Sequence, residues 1–271
     1  MPLPQPFQKF FADRGPHLAA MIAYFALLSF VPLLFLTVSL LGLAGRPDES
    51  SYLVTELKRA FPNSSVASIV HTVDAVRKHS TALGIVGAAA LVWASLSLFS
   101  VLESAMNIVY GQPNRSFLRG KLLAVGLMLL SLVTMFLGLL AGSFGFDLLQ
   151  RYAAGFAGNS YVAYGLSVAA SFVGVLAFLV AVYYFLTNVE HSLVDVLPGA
   201  VLAAVALEAS FQVLPLYVRY SGNVIALKAF GGPVLLLVWL YVMANVIVFG
   251  AEVNWWLEAR RARPQEAAGL A

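Results

Sequence analysis

Apolar positions in this chain gather into six long blocks, each near the twenty residues that a lipid bilayer's hydrocarbon core demands of a helix. The blocks run from about His17 to Ala44, Thr81 to Tyr110, Gly120 to Ser143, Tyr161 to Thr187, Leu197 to Arg219 and Gly232 to Leu257. The pattern predicts an all-α, polytopic membrane protein with six transmembrane helices spread over residues 17–257. Most connections are short, so neighbouring helices are expected to be antiparallel within one domain. The long connection, 45–80, reads as two helices, the second opened by Pro62. Its Val66, Ile69, Val70, Val73 and Val76 recur at helical spacing, which predicts an amphipathic segment on the extracytoplasmic surface. Before the first block, Phe7, Phe10 and Phe11 interleave with Lys9, Asp13 and Arg14, which suits a short interfacial helix over residues 1–16. The first block is too long for a signal-peptide core and is expected to stay as an anchor. Residues 258–271 read as a basic tail.

Composition agrees. Of 271 residues, 61% are hydrophobic and 11% are charged, against roughly 25% charged in a soluble domain. The net charge of +3 does not signal nucleic acid, because the basic residues flank apolar blocks, as they do in membrane proteins. Six spans place both termini on one side. With that side cytoplasmic, Lys9, Arg14, Arg115, Arg119, Lys121, Arg260, Arg261 and Arg263 lie inside, and eight other basic residues lie outside. The raw count ties, and the tight clusters 115–121 and 260–263 favour cytoplasmic termini. The chain has no cysteine, so no disulfide, thiolate nucleophile or thiolate metal site arises.

Polar residues inside the blocks carry the functional reading. A carboxylate at mid-bilayer costs roughly 2.5 to 3.5 kcal/mol, so it is expected to face other helices or a wet cavity. Glu208 stands midway along the fifth block, with Gln212, Pro215 and Arg219 following on the same face. It is read as a protonatable or cation-binding group on a translocation path, or as a packing group bonded to a neighbouring helix. Glu103 and Asn107 share a face of the second block with Ser100, and Asn245 and Glu252 coincide on the sixth. These residues are expected to line one cavity with Glu208. Pro32 is expected to bend the first helix, with Ser29 satisfying the freed backbone. Gly138 and Gly142 read as a packing seam.

Soluble chemistry is poorly supplied. Asp13 with His17, His71 with Asp74, and Glu190 with His191 and Asp195 are the His/carboxylate neighbourhoods near helix ends, and none has helical zinc spacing or a serine nucleophile motif. No phosphate-cradling glycine pattern appears. No catalytic residue, metal site or cofactor is expected.

Several separated stretches carry a resemblance: AYFALLSFVPLL in the first block, FPNSSVASIV with ALG, ESAMNIVYGQPNRSFLRGKL, DVLPGAVLAAVALEASF, and LLVWLYVMANVIVFGAEVN. Together they resemble the YihY/BrkB family of bacterial inner-membrane proteins, once misnamed ribonuclease BN, over nearly the whole chain. Where that family tends to have Tyr-Gly before its last helix, this chain has Phe230 and Gly231. The resemblance implies six spans, cytoplasmic termini, an inner-membrane location, and a link to serum resistance and to export or flipping of lipids or lipid-linked precursors. The leading expectation is a transporter or flippase of an amphipathic envelope molecule, whose partners are membrane lipids and not nucleic acid. A non-transporting envelope scaffold and a membrane-associated ribonuclease are the alternatives. Oligomeric state is not legible.

Overall fold

The computed structural model describes residues 5–43, 82–131, 160–190, 192–221 and 232–269. Among these residues every regular element is helical. The elements are α1 (Pro6–Ala12), α2 (Gly15–Leu43), α3 (Ala82–Val109), α4 (117–131), α5 (Ser160–Ala181), α6 (Leu193–Ser221) and α7 (Gly232–Gly269). The last turn of the α5 rod, Val182–Leu186, is a π-helix. Helices α2 to α7 overlap the six predicted blocks, which is compatible with six spans. Four described stretches are long and apolar enough to cross a membrane: Val92–Val109, Val168–Leu186, Leu193–Phe211 and Leu236–Arg261. The predicted connection 45–80 and the Gly138/Gly142 seam lie outside the described residues.

Two boundaries differ from the sequence pattern, both for local reasons. Helix α6 opens at Leu193 because Ser192 and Asp195 form a capping box there. The Ser192 Oγ accepts the Val194 N–H at 3.4 Å, and the Asp195 carboxylate accepts the Ser192 N–H at 3.2 Å. Helix α7 carries on through 258–269, since Glu258, Ala259, Arg260, Arg261 and Ala262 are strong helix formers. Arg260 also lies over the Trp256 ring, 3.8 Å from its centroid. Helix α2 is helical through Pro32, but Ser29 donates to the Phe25 carbonyl at 2.8 Å. A proline at 32 frees the carbonyl of Leu28, so the hydroxyl serves its own preceding turn and not the freed group.

The chain divides into two compact units: one comprises Met1–Pro16, Leu102–Ala209 and Val246–Ala271, the other His17–Val101 and Ser210–Asn245. In the second, Ser97 and Ser100 bond back to the Trp93 and Leu96 carbonyls, and Asn245 bonds back to the Tyr241 carbonyl at 2.7 Å. Each of these polar groups bonds back within its own helix.

The first unit holds the polar chemistry. Its α6 and α7 approach through small residues: a Cβ on Gly250 would stand 2.9 Å from the Gly199 carbonyl and 3.0 Å from Ala203. Close backbone approach of this kind is how helices associate in lipid, where apolar burial gives no net drive. Outward, Phe117, Leu118 and Leu122 on α4, and Val201, Leu202 and Val205 on α6, are exposed. A surface so apolar belongs against acyl chains.

Candidate functional site

A helix end leaves its last four carbonyls without intrahelical partners, and in a dry environment each must be met. Helix α3 ends in a Schellman motif. Gly111 takes a left-handed φ of 64°, Gln112 N–H reaches the Asn107 carbonyl at 2.8 Å, and Gly111 N–H reaches that of Ile108 at 3.0 Å. The Val109 carbonyl is met differently. Lys9, from α1, donates to it at 2.5 Å.

The same ammonium donates to Glu252 Oε2 on α7 at 3.0 Å and to Asp13 one turn along α1, and lies 4.3 Å from the centroid of Trp255. Glu252 is fully buried, and its Oε1 has no hydrogen-bond partner among the described residues. Phe10 fixes α1 beside it, edge-on to Phe249 at 5.9 Å.

Arg115 repeats this arrangement at the end of α5. Its guanidinium donates to the Leu186 and Thr187 carbonyls at 2.7 Å each, and meets Glu103 Oε1 at 3.4 Å. Cations are favoured at helix C-termini, where the peptide dipoles sum to negative charge. Two cations therefore each close a helix end and neutralise a carboxylate carried by a different helix.

Amides complete the layer. Asn107, wholly buried, accepts the Asn188 N–H at 2.7 Å and donates to Asn114 Oδ1 at 3.1 Å. Asn254 inserts into the first turns of α6, accepting Gly199 N–H at 2.6 Å and donating to the Val196 carbonyl at 3.0 Å. The Tyr183 hydroxyl, within the π turn, donates to the Ile247 carbonyl at 2.8 Å. Thr187 bonds back to the Tyr183 carbonyl at 2.5 Å. Tyr110, in the turn past α3, is buried, which pushes its phenol well above the ordinary range; Glu258, Tyr183, Asp195 and Glu252 nearby add to the effect. At the rim, Arg261 and Asp195 pair at 2.7 Å, half open to solvent.

Of the residues singled out by sequence, Glu103, Asn107 and Glu252 lie in this layer. Glu208 belongs to the same unit but not to the layer. It stands nine residues beyond Gly199 on α6, about 13 Å along the axis, half-buried, and its Oε2 accepts from Ser171 of α5 at 2.9 Å. The side chains of Gln212 and Arg219 lie outside the described residues, although both positions are helical. Lys9, Asp13, Tyr183, Thr187, Asn188 and Asn254 were not singled out as site residues from sequence. Asn254 had a visible signal, being two residues past Glu252 in the AEVN stretch.

Helical segments throughout, apolar outer faces and a buried polar layer at the helix ends define a polytopic helical membrane protein. A family model described as virulence factor BrkB matches residues 6–270, and the chain belongs to that family. The chain is 28% identical over 267 residues, 96% of each chain, to the ribonuclease-like protein YfkH of Bacillus subtilis (strain 168). No solved structure matches it.

Proposed function

We propose that this protein moves an amphipathic envelope molecule, a lipid or lipid-linked precursor, within the bacterial inner membrane, with Glu208 on its path. The observation that carries this reading is the setting of that carboxylate. It sits mid-way along a membrane helix whose neighbouring Val201, Leu202, Val205 and Val213 are exposed, yet it is half-buried and hydrogen-bonded to Ser171 of the adjacent helix. An ionisable group at that depth is stable where water or a polar headgroup reaches it. The helix-end layer supplies the matching closed end, because its carboxylates face cations and its amides face backbone groups.

The same layer supports an orientation. It gathers Lys9, Arg115 and Arg261 with the ends of α3 and α5 and the start of α6, and positive charge of this kind favours the cytoplasmic side. On this reading both termini are cytoplasmic.

RNA cleavage, which the name of YfkH raises, asks for several carboxylates or histidines free to hold a metal. Among the described residues no three His, Asp or Glu side chains converge in that way. Glu103 and Glu252 are each committed to a cation. Reconstitution in liposomes tests the proposal: the wild type should accelerate exchange of fluorescent phospholipid between leaflets, and Glu208→Ala should abolish it while the protein stays folded. No acceleration by the wild type would favour the scaffold reading, and wild-type rates in Glu208→Ala would take Glu208 off the path. Stoichiometric, metal-dependent RNA cleavage lost on replacing His191 and Asp195 would establish the nuclease instead.

A further inference from the structure

We propose that α1 is a latch on the helix-end layer, closed by Lys9 on Glu252 and opened by swinging out about Arg14. The inference rests on the geometry of the first unit and holds whatever the cargo. Helix α1 is seven residues long and reaches the bundle through one face. Phe10 is buried against Phe249, and the Lys9 side chain, 11% exposed, runs inward to Glu252 and the Val109 carbonyl. The opposite face is apolar and open: Phe7 and Phe11 are 64% and 55% exposed and stack edge-on at 5.0 Å. Such a helix has a second stable position, flat in the headgroup region with its phenylalanines in the acyl boundary.

The joint is built for movement. Arg14, between α1 and α2, has φ of 57°, a left-handed conformation that a non-glycine residue adopts at a cost. Gly15 follows, and the Phe10 ring occupies the space that a Cβ there would need, so the closed position depends on a glycine beside the hinge.

The lock itself is incompletely satisfied. One ammonium is shared among two carboxylates and a carbonyl, and Glu252 Oε1, fully buried, has no hydrogen-bond partner among the described residues. Opening the latch gives that oxygen water. Closing it excludes water from Glu252 and from the Val109 end of α3. The closed state thus trades hydration of one carboxylate for a cation, and small changes in that pairing shift the balance.

The chain contains no cysteine, so single thiols report cleanly. Val109→Cys places a thiol at the residue whose carbonyl Lys9 holds, and Ala200→Cys places one at a fully buried position of α6, beside its contact with α7. In lipid nanodiscs, which expose both membrane faces, a membrane-impermeant maleimide should label both slowly. Adding Lys9→Met should speed labelling at position 109 by about tenfold or more, while position 200 stays protected. Lys9→Met with Glu252→Gln should return position 109 towards the slow rate, because no uncompensated carboxylate then draws water. Continued protection of position 109 in Lys9→Met would overturn the latch. Labelling of both positions would overturn it too, by showing Lys9 to be a staple whose loss opens the whole unit.

Discussion

Replacing Arg115 by alanine removes three interactions at once, and the structure allows their shares to be separated. The guanidinium holds the Leu186 and Thr187 carbonyls at 2.7 Å each and faces the buried Glu103 carboxylate at 3.4 Å. The two short bonds are charge-assisted, and a buried acceptor left open costs about 1 to 3 kcal/mol. Removing one partner of a buried pair costs about 3 to 5 kcal/mol in total, much of it the stranded charge. Water that enters from the polar rim recovers part of the carbonyl loss, so Arg115→Ala should destabilise the folded protein by about 3 to 5 kcal/mol. Glu103→Gln should cost only about 1 kcal/mol, because an amide oxygen still accepts from Arg115 and the carbonyl bonds remain. The double variant should be less damaging than Arg115→Ala alone, since no charge is stranded. Arg115→Lys should fall in between, as a single ammonium cannot span two carbonyls in a fork. Reversible unfolding in mixed detergent micelles, followed by tryptophan fluorescence, gives the four free energies. If Glu103→Gln costs as much as Arg115→Ala, or if the lysine variant matches the wild type, the assignment of Arg115 as a helix-end cap is wrong.

Other outcomes follow from the same geometry. Gly199→Ala should prevent folding, because its Cβ would collide with the Gly250 backbone carbonyl, whereas Gly174→Ala, with nothing within 4 Å, should be neutral or slightly stabilising; yield of monodisperse protein separates them. Ser192→Ala should cost about 1 kcal/mol through loss of the α6 cap, read in the same unfolding assay. Arg261→Ala should change stability by less than about 1 kcal/mol, since its pair with Asp195 is half exposed. Ser171→Ala should slow lipid exchange without the full loss expected of Glu208→Ala, because it removes one donor to the carboxyl group and leaves that group in place.

The six apolar blocks were legible because bilayer thickness sets a length that few soluble helices reach. Glu103, Asn107 and Glu252 were legible as interior residues because amides and carboxylates are expensive in an apolar run. Their partners were not. Lys9 lies 243 residues from Glu252, and periodicity tells which way a side chain points without saying which distant segment it meets. Arg115 read only as one charge in a basic cluster, since its use on two backbone carbonyls leaves no mark in composition. The shared cavity expected for Glu208 and the layer residues came from projecting each helix onto a wheel. That projection discards position along the axis, where Glu208 stands about 13 Å beyond the contact at Gly199. The α6 start at Leu193 could have been read earlier from the Ser192 and Asp195 spacing.

The π turn at Val182–Leu186 has a consequence for chain length. A π turn amounts to one residue added to an α-helix, and each α-helical residue carries about 100° of rotation. The extra residue is absorbed within that turn, so the Leu186 and Thr187 carbonyls still meet Arg115 while Tyr183 faces Ile247. Loss of one residue inside the turn would restore an ordinary helix with both carbonyls facing nearly the same way, whereas loss of one residue earlier in α5 would rotate them by about 100° away from the guanidinium. The last turn of this helix should therefore accept a change of count more readily than the α-helical stretch before it, and a scan of single-residue deletions along residues 168–186 should find its mildest loss of folded protein there.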